Sequence, residues 1–535
     1  MSLGPQIRIA YRLPGIAQER KVVIEGDGSI LGNNDARVLG VIVSGNEAVR
    51  RVAVCPANPV IITEIEATMN VALQCADALF LNGYNSWTDS VEHPVDGRMW
   101  GLARAPRRLI DKYVLDGSGD YRFVPEDVRR GHMHGFGYGY LRQGDEVLLF
   151  GSLNEDSGLT LIREDLDAGA ITFSKEVPAR TIEAGERREI LSLCVAGGTL
   201  EEAVDQWLAL AGTTRREANP VVGYSSWYRH YDQIDEWKLL HDLKGAAEVL
   251  GNTELGTADP VFQIDDGYAK VGDWLEYDRA RFPQGMAALA TAATEAGLLP
   301  GLWMAPFVCS RKSRVYAEHQ DWLLRDEVGE AVMTGDHWGG AFALDMRNDE
   351  VRAYVANALH TVTEEWGYKL LKLDFLYAAC MLSHDSLNRG ELIADALDLL
   401  RESVPDDVRL LFCGVPLVSA FGRCEYCRIG CDVGLDWDDK PHMRLLHRER
   451  VSTKNSLANA RGRAHLDGRV FRCDPDVLFL REEGVSFTQE QYAEMLKTDT
   501  TCGGVLFTSD DMSSWNAGQL DRFRSAVAAF LEHNG

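Results

Sequence analysis

From Pro220 to the end of the chain the sequence repeats one pattern, a short apolar run followed by a stretch whose apolar residues recur every three to four positions. This alternation is the signature of parallel βα units, in which crossover helices bury both faces of each strand. The candidate strands are Val221–Tyr224, Val261–Ile264, Leu299–Trp303, Lys369–Asp374, Arg409–Cys413, Cys427–Asp432, Arg469–Phe479 and Gly503–Phe507. Eight such strands predict an α/β fold, a (β/α)8 TIM barrel over residues 220–535. The intervening helices are legible as well. Asn348 is placed as an N-cap, Asp349 and Glu350 stand in the first turn, and Val351, Val355, Leu359, Val362 and Trp366 follow on one face.

Upstream the texture changes. Between Ile7 and Val195, apolar runs such as Val147–Phe150 and Ile190–Val195 are separated by turn signals such as Gly117-Ser118-Gly119. A large N-terminal antiparallel β-sandwich over 1–198 is expected. Thr199 and Glu202 form a capping box ahead of Ala203, Trp207, Leu208 and Leu210, so 199–219 reads as a linker carrying a helix. A chain of 535 residues is too long for one core, which agrees with this division.

The net charge of −26 argues against nucleic acid, whose phosphates need a basic stripe, and leaves neutral or cationic ligands. Met1 to Arg12 contains no apolar h-region and no run is long enough to span a bilayer, so a cytoplasmic protein without membrane contact is expected. Eleven scattered cysteines read as reduced thiols. Cys424, Cys427 and Cys431, with Cys413 upstream, lack the paired knuckle of a zinc or iron–sulfur site and read as buried or pocket-lining. His132-Met133-His134 falls in the sandwich region, away from any barrel strand, and Gly135, Gly137 and Gly139 precede no helix that could bind phosphate.

In such a barrel the C-terminal ends of the strands form the active face. Alternation places Lys372 and Asp374 on one face of the fourth strand, and an ammonium two residues away favours an ionised carboxylate of low pKa, suited to a nucleophile. The plainer reading is an internal ion pair. The second strand ends in Asp265-Asp266-Gly267, where both carboxylates can line the mouth and accept hydrogen bonds from vicinal sugar hydroxyls; a helix N-cap is the alternative. Trp274 and Trp303 follow the second and third strands, and an indole face stacks on a pyranose. The Gly83-Tyr84-Asn85-Ser86-Trp87 stretch reads as a loop, with a core tryptophan as the alternative. On the sixth strand Arg428, Gly430 and Asp432 share a face, which sets Asp432 across the mouth from Asp374, with Asp436, Asp438 and Asp439 as rivals. Two opposed carboxylates are the equipment of glycoside cleavage.

FQIDDGY (262–268), GDW (272–274), GLW (301–303), ALD (343–345), LKLDF (371–375), CRIGCD (427–432) and DPDVLFLR (474–481) occur in this order. Together they resemble the α-galactosidase (melibiase) branch of clan D glycoside hydrolases, family 36 type. The resemblance implies Asp374 as nucleophile and Asp432 as acid/base, the latter kept protonated by an apolar or acid-rich setting. It also implies Asp265 and Asp266 as holders of the galactose O4 and O6 hydroxyls, Lys372 and Arg428 as sugar-binding residues, Trp303 as an indole beside the sugar, and Trp87 as a contribution from the N-terminal sandwich. The activity implied is exo-acting, retaining release of terminal α-linked galactose from small α-galactosides through a covalent glycosyl-enzyme, with no cofactor and no metal.

An α-N-acetylgalactosaminidase or a raffinose-synthase-like α-galactosyl transferase would use the same fold. A non-catalytic carbohydrate-binding protein is opposed by the presence of both Asp374 and Asp432, and a metal-dependent barrel hydrolase by the lack of histidines at strand ends. The resemblance leaves homo-oligomer formation open. The family commonly carries a C-terminal β-domain, and none is expected here; the cysteine-rich approach Gly422 to Cys427 is unfamiliar and could reshape the aglycone side.

Overall fold

The computed structural model describes residues 5–26, 29–31, 33–103, 105–124, 129–437 and 448–535. Among these residues, the strands between Gln6 and Gly198 assemble into two antiparallel sheets of seven strands each. In the first, Ile61–Asn70 buries Ile62, Ile65, Ala67 and Met69 while its polar residues face outward, the alternation of a half-buried sheet. Ile9, Ile65 and Phe173 of this sheet share a core with Val52, Phe150 and Leu193 of the second. Phe150 and Phe173 meet edge to face with centroids 5.7 Å apart.

The second sheet is covered on its other face too. Phe80, Tyr138, Tyr140 and Leu149 join the core that continues into the parallel sheet. The helix Leu200–Ala211 closes this side, with the Thr199 and Glu202 capping box formed. Trp207 from this helix stacks on Tyr138 at 4.6 Å and donates its indole N–H to the Ser152 carbonyl at 2.9 Å.

The remainder is organised by a curled parallel sheet of nine strands: β1 (Val221–Ser225), β2 (Asp259–Ile264), β3 (Leu299–Met304), β4 (Leu370–Leu373), β5 (Arg409–Phe412), β6 (Tyr426–Arg428), β7 (Arg472–Asp474), β8 (Val477–Leu478) and β9 (Val505–Thr508). Their spatial order is β7-β6-β5-β4-β3-β2-β1-β9-β8. Only Pro475 and Asp476 separate β7 from β8, which stand at opposite ends of that order, and Gly504 N–H bonds the Cys473 carbonyl at 3.0 Å. Between β3 and β4 an insert unforeseen in the sequence forms a three-stranded antiparallel sheet from Val308–Ser310, Met333–Gly335 and Ala341–Ala343. Among the described residues no helix is long and apolar enough to cross a membrane.

The helix Thr453–Arg463 joins the two halves. Arg463 is fully buried and donates to Asn82 Oδ1 and to the carbonyls of Asn85, Ser86 and Ile429, which ties the Gly83–Trp87 loop to the end of β6. Beside it, Gly462 lies so close to the Ser90 carbonyl that an added Cβ would stand 1.9 Å from the oxygen. Gly462→Ala is therefore expected to lower stability by about 1–3 kcal/mol, although alanine is the better helix former by about 1 kcal/mol at an unhindered site. Thermal or denaturant unfolding measures this, and an equal or higher midpoint would refute so close an approach.

Candidate active site

The C-terminal ends of the parallel strands surround a cavity of about 520 Å3, well within the range of small-molecule sites. Asp265, Asp266, Trp303, Lys372, Asp374 and Asp432 line it, and Trp87 reaches it from the loop of the N-terminal half. Tyr113, Val114, Leu115, Trp227 and Val451 add an apolar wall.

Asp374 follows β4 directly. Its Oδ2 accepts the Trp303 indole N–H at 3.0 Å and its Oδ1 accepts the Phe375 backbone N–H at 2.8 Å. Phe375 adopts a left-handed φ of +56°, turning the chain sharply beneath the carboxylate. Register pairs Trp303 with Lys372, which brings β3 and β4 side chains together at the mouth. The Lys372 ammonium, however, bonds Asp265 Oδ2 at 2.9 Å. The expected low pKa of Asp374 is accordingly corrected: burial pushes it up, and Lys372 and the Trp303 donor pull against that without reversing it. Alternation correctly sets Lys372 on the Asp374 face, but the ammonium's hydrogen-bonded carboxylate comes from β2.

Asp265 is held on several sides. Its Oδ2 also accepts Gln263 Nε2–H at 2.8 Å, its Oδ1 accepts the Asp266 backbone N–H at 3.0 Å, and its own N–H bonds Ser226 Oγ at 2.9 Å. Asp266 accepts the Trp338 indole N–H at 2.7 Å. Burial pushes the Asp266 carboxyl up to about 7, with the Asp265 charge adding to the rise and Trp338 opposing it. Gly267, at φ +121°, makes the turn after the two acids, and a Cβ there would stand 2.6 Å from the Asp232 carbonyl.

Asp432 requires two corrections. β6 ends at Arg428, so Asp432 lies in the following loop and does not owe its place to strand alternation. The Ile429 N–H to the Asp474 carbonyl is the last bond of the β6–β7 ladder, and beyond it the Asp432 carbonyl instead accepts the N–H of Ser452, N-cap of the helix Thr453–Arg463, at 3.2 Å. Of the two settings expected, the apolar one is absent, since the Asp432 side chain is 42% exposed and Oδ1 accepts from Arg428 Nη2 at 2.9 Å, whereas acids are near, its charge acting on both Asp374 and Asp476. It nevertheless lines the same cavity as Asp374, and its charge is among those that raise the Asp374 pKa.

Arg428 itself is 1% exposed, does not line the cavity, and is occupied by Asp432 and Asp476, a placement that does not support the sugar-binding role the resemblance implies for it. Trp274 is core, packed against Trp303 with centroids 5.9 Å apart. Trp87 stands edge-on to Phe375 at 5.1 Å and donates its N–H to Cys413 Sγ at 3.2 Å. Of the rivals to Asp432, Asp436 bridges to Ser486 outside the cavity lining, and Asp438 and Asp439 lie outside the described residues.

Sequence reasoning missed Trp338. It sits in the turn His337–Gly339 of the insert at φ +56°, near Phe375 at 5.1 Å and Trp303 at 6.1 Å. The flanking glycines of Gly335-Asp336-His337-Trp338-Gly339-Gly340 were the available signal. Cys424, Cys427 and Cys431 are buried free thiols. Among the described residues, the two places where three ligand-type side chains converge are His132, Asp165 and Asp167, and His241, Asp242 and Asp511; both lie away from this cavity.

The family model described as melibiase matches residues 209–385. Alpha-galactosidase AgaA of Geobacillus stearothermophilus is 33% identical over 114 residues, 21% of this chain and 15% of that protein. Alpha-galactosidase Mel36A of Lactobacillus acidophilus is 40% identical over 109 residues, 20% of this chain and 14% of that protein. The matched stretches thus span about a seventh of these curated relatives. Among solved structures, TtGalA, an alpha-galactosidase from Thermus thermophilus solved with p-nitrophenyl alpha-D-galactopyranoside, aligns with a TM-score of 0.72 and 27% identity, over 91% of this chain and 94% of that one. Its complex with stachyose aligns over 97% and 99%. The crystal structure of the GH36 alpha-galactosidase AgaA shares the fold at a TM-score of 0.61 and 14% identity, over 99% of this chain and 76% of that one. Residues 209–385 thus match the melibiase family model, and the chain built around them shares the fold of the GH36 α-galactosidases.

Proposed function

We propose that this chain is an exo-acting α-galactosidase that cleaves by double displacement. The observation that carries the reading is the convergence of Asp374 and Asp432 on one cavity whose inner wall also holds Asp265, Asp266, Lys372 and Trp303. The complexes of TtGalA with a nitrophenyl galactoside and with stachyose support a terminal α-galactosyl group as the ligand.

In the first step the Asp374 carboxylate bonds to C1 of the sugar from the face opposite the leaving group. The C1–O bond breaks and Asp432 gives its proton to the departing oxygen. In the second step Asp432, now a carboxylate, takes a proton from water as the water oxygen bonds to C1, and the Asp374 ester is released. The Lys372–Asp265 pair and Asp266 are assigned to the sugar hydroxyls. Trp303 is assigned a double role, with its indole N–H orienting Asp374 and its ring lining the site.

The curled sheet is read as a closed (β/α)8 barrel. β7 and β8 are two halves of one strand interrupted at Pro475-Asp476, one half pairing with β6 and the other with β9. The chain is accordingly divided into a β-sandwich over 1–198, a linker over 199–219 and the barrel over 220–535.

The test is hydrolysis of an aryl α-galactoside followed by NMR from the first turnover. α-Galactose is expected to form first and then mutarotate. First-formed β-galactose would overturn the double displacement, and no release of galactose would overturn the activity.

A further inference from the structure

An acid catalyst must present its carboxyl to the leaving oxygen, yet Asp432 Oδ1 is hydrogen bonded to Arg428, whose guanidinium competes for that carboxyl. Arg428 is 1% exposed, so water does little to share its charge. A second carboxylate does share it. Asp476 Oδ2 contacts the same Nη2 atom that donates to Asp432 Oδ1.

The same Asp476 oxygen accepts two further bonds, from the Val433 backbone N–H at 2.9 Å and from the Tyr228 hydroxyl at 2.5 Å. Val433 is the residue after Asp432. One oxygen therefore holds both the arginine that reaches Asp432 and the backbone next to it. Asp476 adopts a φ of +90°, a conformation that a residue with a side chain rarely takes, and its N–H is held by Asp474 Oδ1 at 2.9 Å. Strain of this kind persists where the surroundings over-determine it and collects at functional sites. Neither Asp476 nor Arg428 lines the cavity.

We propose that Asp476 is a positioning residue for Asp432, which fixes the Asp432 loop through Val433 and keeps Arg428 from pairing with the Asp432 carboxylate alone. The inference rests on the glycoside-hydrolase reading above. Electrostatics agree with two carboxylates sharing one cation. Burial pushes Asp476 up to about 7, Arg428 opposes the rise, and Asp432 and Asp474 add to it.

Asp476→Asn tests this, because an amide oxygen still accepts from Val433 and Tyr228 while the negative charge is gone. Arg428 then falls wholly to Asp432 and holds its carboxyl away from the leaving oxygen. For an α-galactoside with an unactivated sugar leaving group, kcat/KM is expected to fall roughly 10- to 100-fold, part of the 10²–10⁴ typical of general acid catalysis. A 2,4-dinitrophenyl α-galactoside needs no protonation on departure and is expected to lose less than about threefold. Tyr228→Phe, which keeps the Asp476 charge but removes one of the donors that hold its carboxylate in place, is expected to shift the ratio in the same direction by less; it carries the test should Asp476→Asn fold poorly. Equal losses on both substrates, or no loss on either, would overturn the positioning role and leave the hydrolase reading standing. A wild-type protein that cleaves neither substrate would overturn both.

Discussion

Asp374→Ala is expected to lose on the order of 10^4-fold or more in kcat on an aryl α-galactoside, about 5.5 kcal/mol of transition-state stabilisation, and to recover turnover with azide as β-galactosyl azide. The residue is placed for attack. It lies just beyond β4, both carboxylate oxygens are oriented by N–H donors from Trp303 and Phe375, and the side chain lines the cavity. Alanine removes the oxygen that would bond to C1 and leaves a space into which azide fits, on the same face of the sugar. One displacement then inverts an α-linkage to a β-azide. Burial pushes the Asp374 carboxyl up in the folded state, so its replacement relieves a desolvated charge, and the variant is expected to melt no lower than the parent. Rate assays, NMR of the azide product and thermal unfolding check the three parts. Full activity in Asp374→Ala, or an α-azide, would exclude Asp374 as the nucleophile.

The parts legible from the sequence are those set by local pattern. β1 to β5 read as strands because their runs are mostly apolar and buried on both faces, as with Val221–Ser225, buried at every position. Asp265, Asp266 and Asp374 were found because acids directly after such runs stand at the strand ends. What went unread depends on contacts between segments distant in the chain. The carboxylate bonded to Lys372 is Asp265, just past the end of β2, and strand register brings it there. Asp432 was chosen by a strand alternation that the short β6 does not have; its place depends on Arg428, Ser452 and Asp476, the last two from other segments. Trp338 belongs to an insert without apolar periodicity, and only its bond to Asp266 reveals a role. The degree of burial was equally hidden, which is why the pKa direction of Asp374 was read backwards.

The second large effect is expected at Asp432, and its form differs from that at Asp374. Asp432→Ala removes the proton donor of the first step and the base of the second, but leaves the nucleophile and the sugar-binding wall in place. With an unactivated sugar leaving group the loss in kcat/KM is expected to be roughly 10²–10⁴-fold. With a dinitrophenyl leaving group the glycosyl-enzyme still forms readily, its hydrolysis becomes limiting, and kcat and KM fall together while kcat/KM holds. Azide needs no base, so it is expected to restore kcat on the dinitrophenyl substrate. The product is then α-galactosyl azide, because two displacements have occurred. The opposite azide anomers from the two variants make the assignment of roles internally checkable, and no rearrangement of the site by a single substitution reproduces both. The half-exposed side chain makes Asp432→Ala a mild change for the fold, and Arg428 keeps Asp476 as its partner. A β-azide from Asp432→Ala, or losses that ignore the leaving group, would remove Asp432 from the acid/base role and pass it to another acid of the same loop.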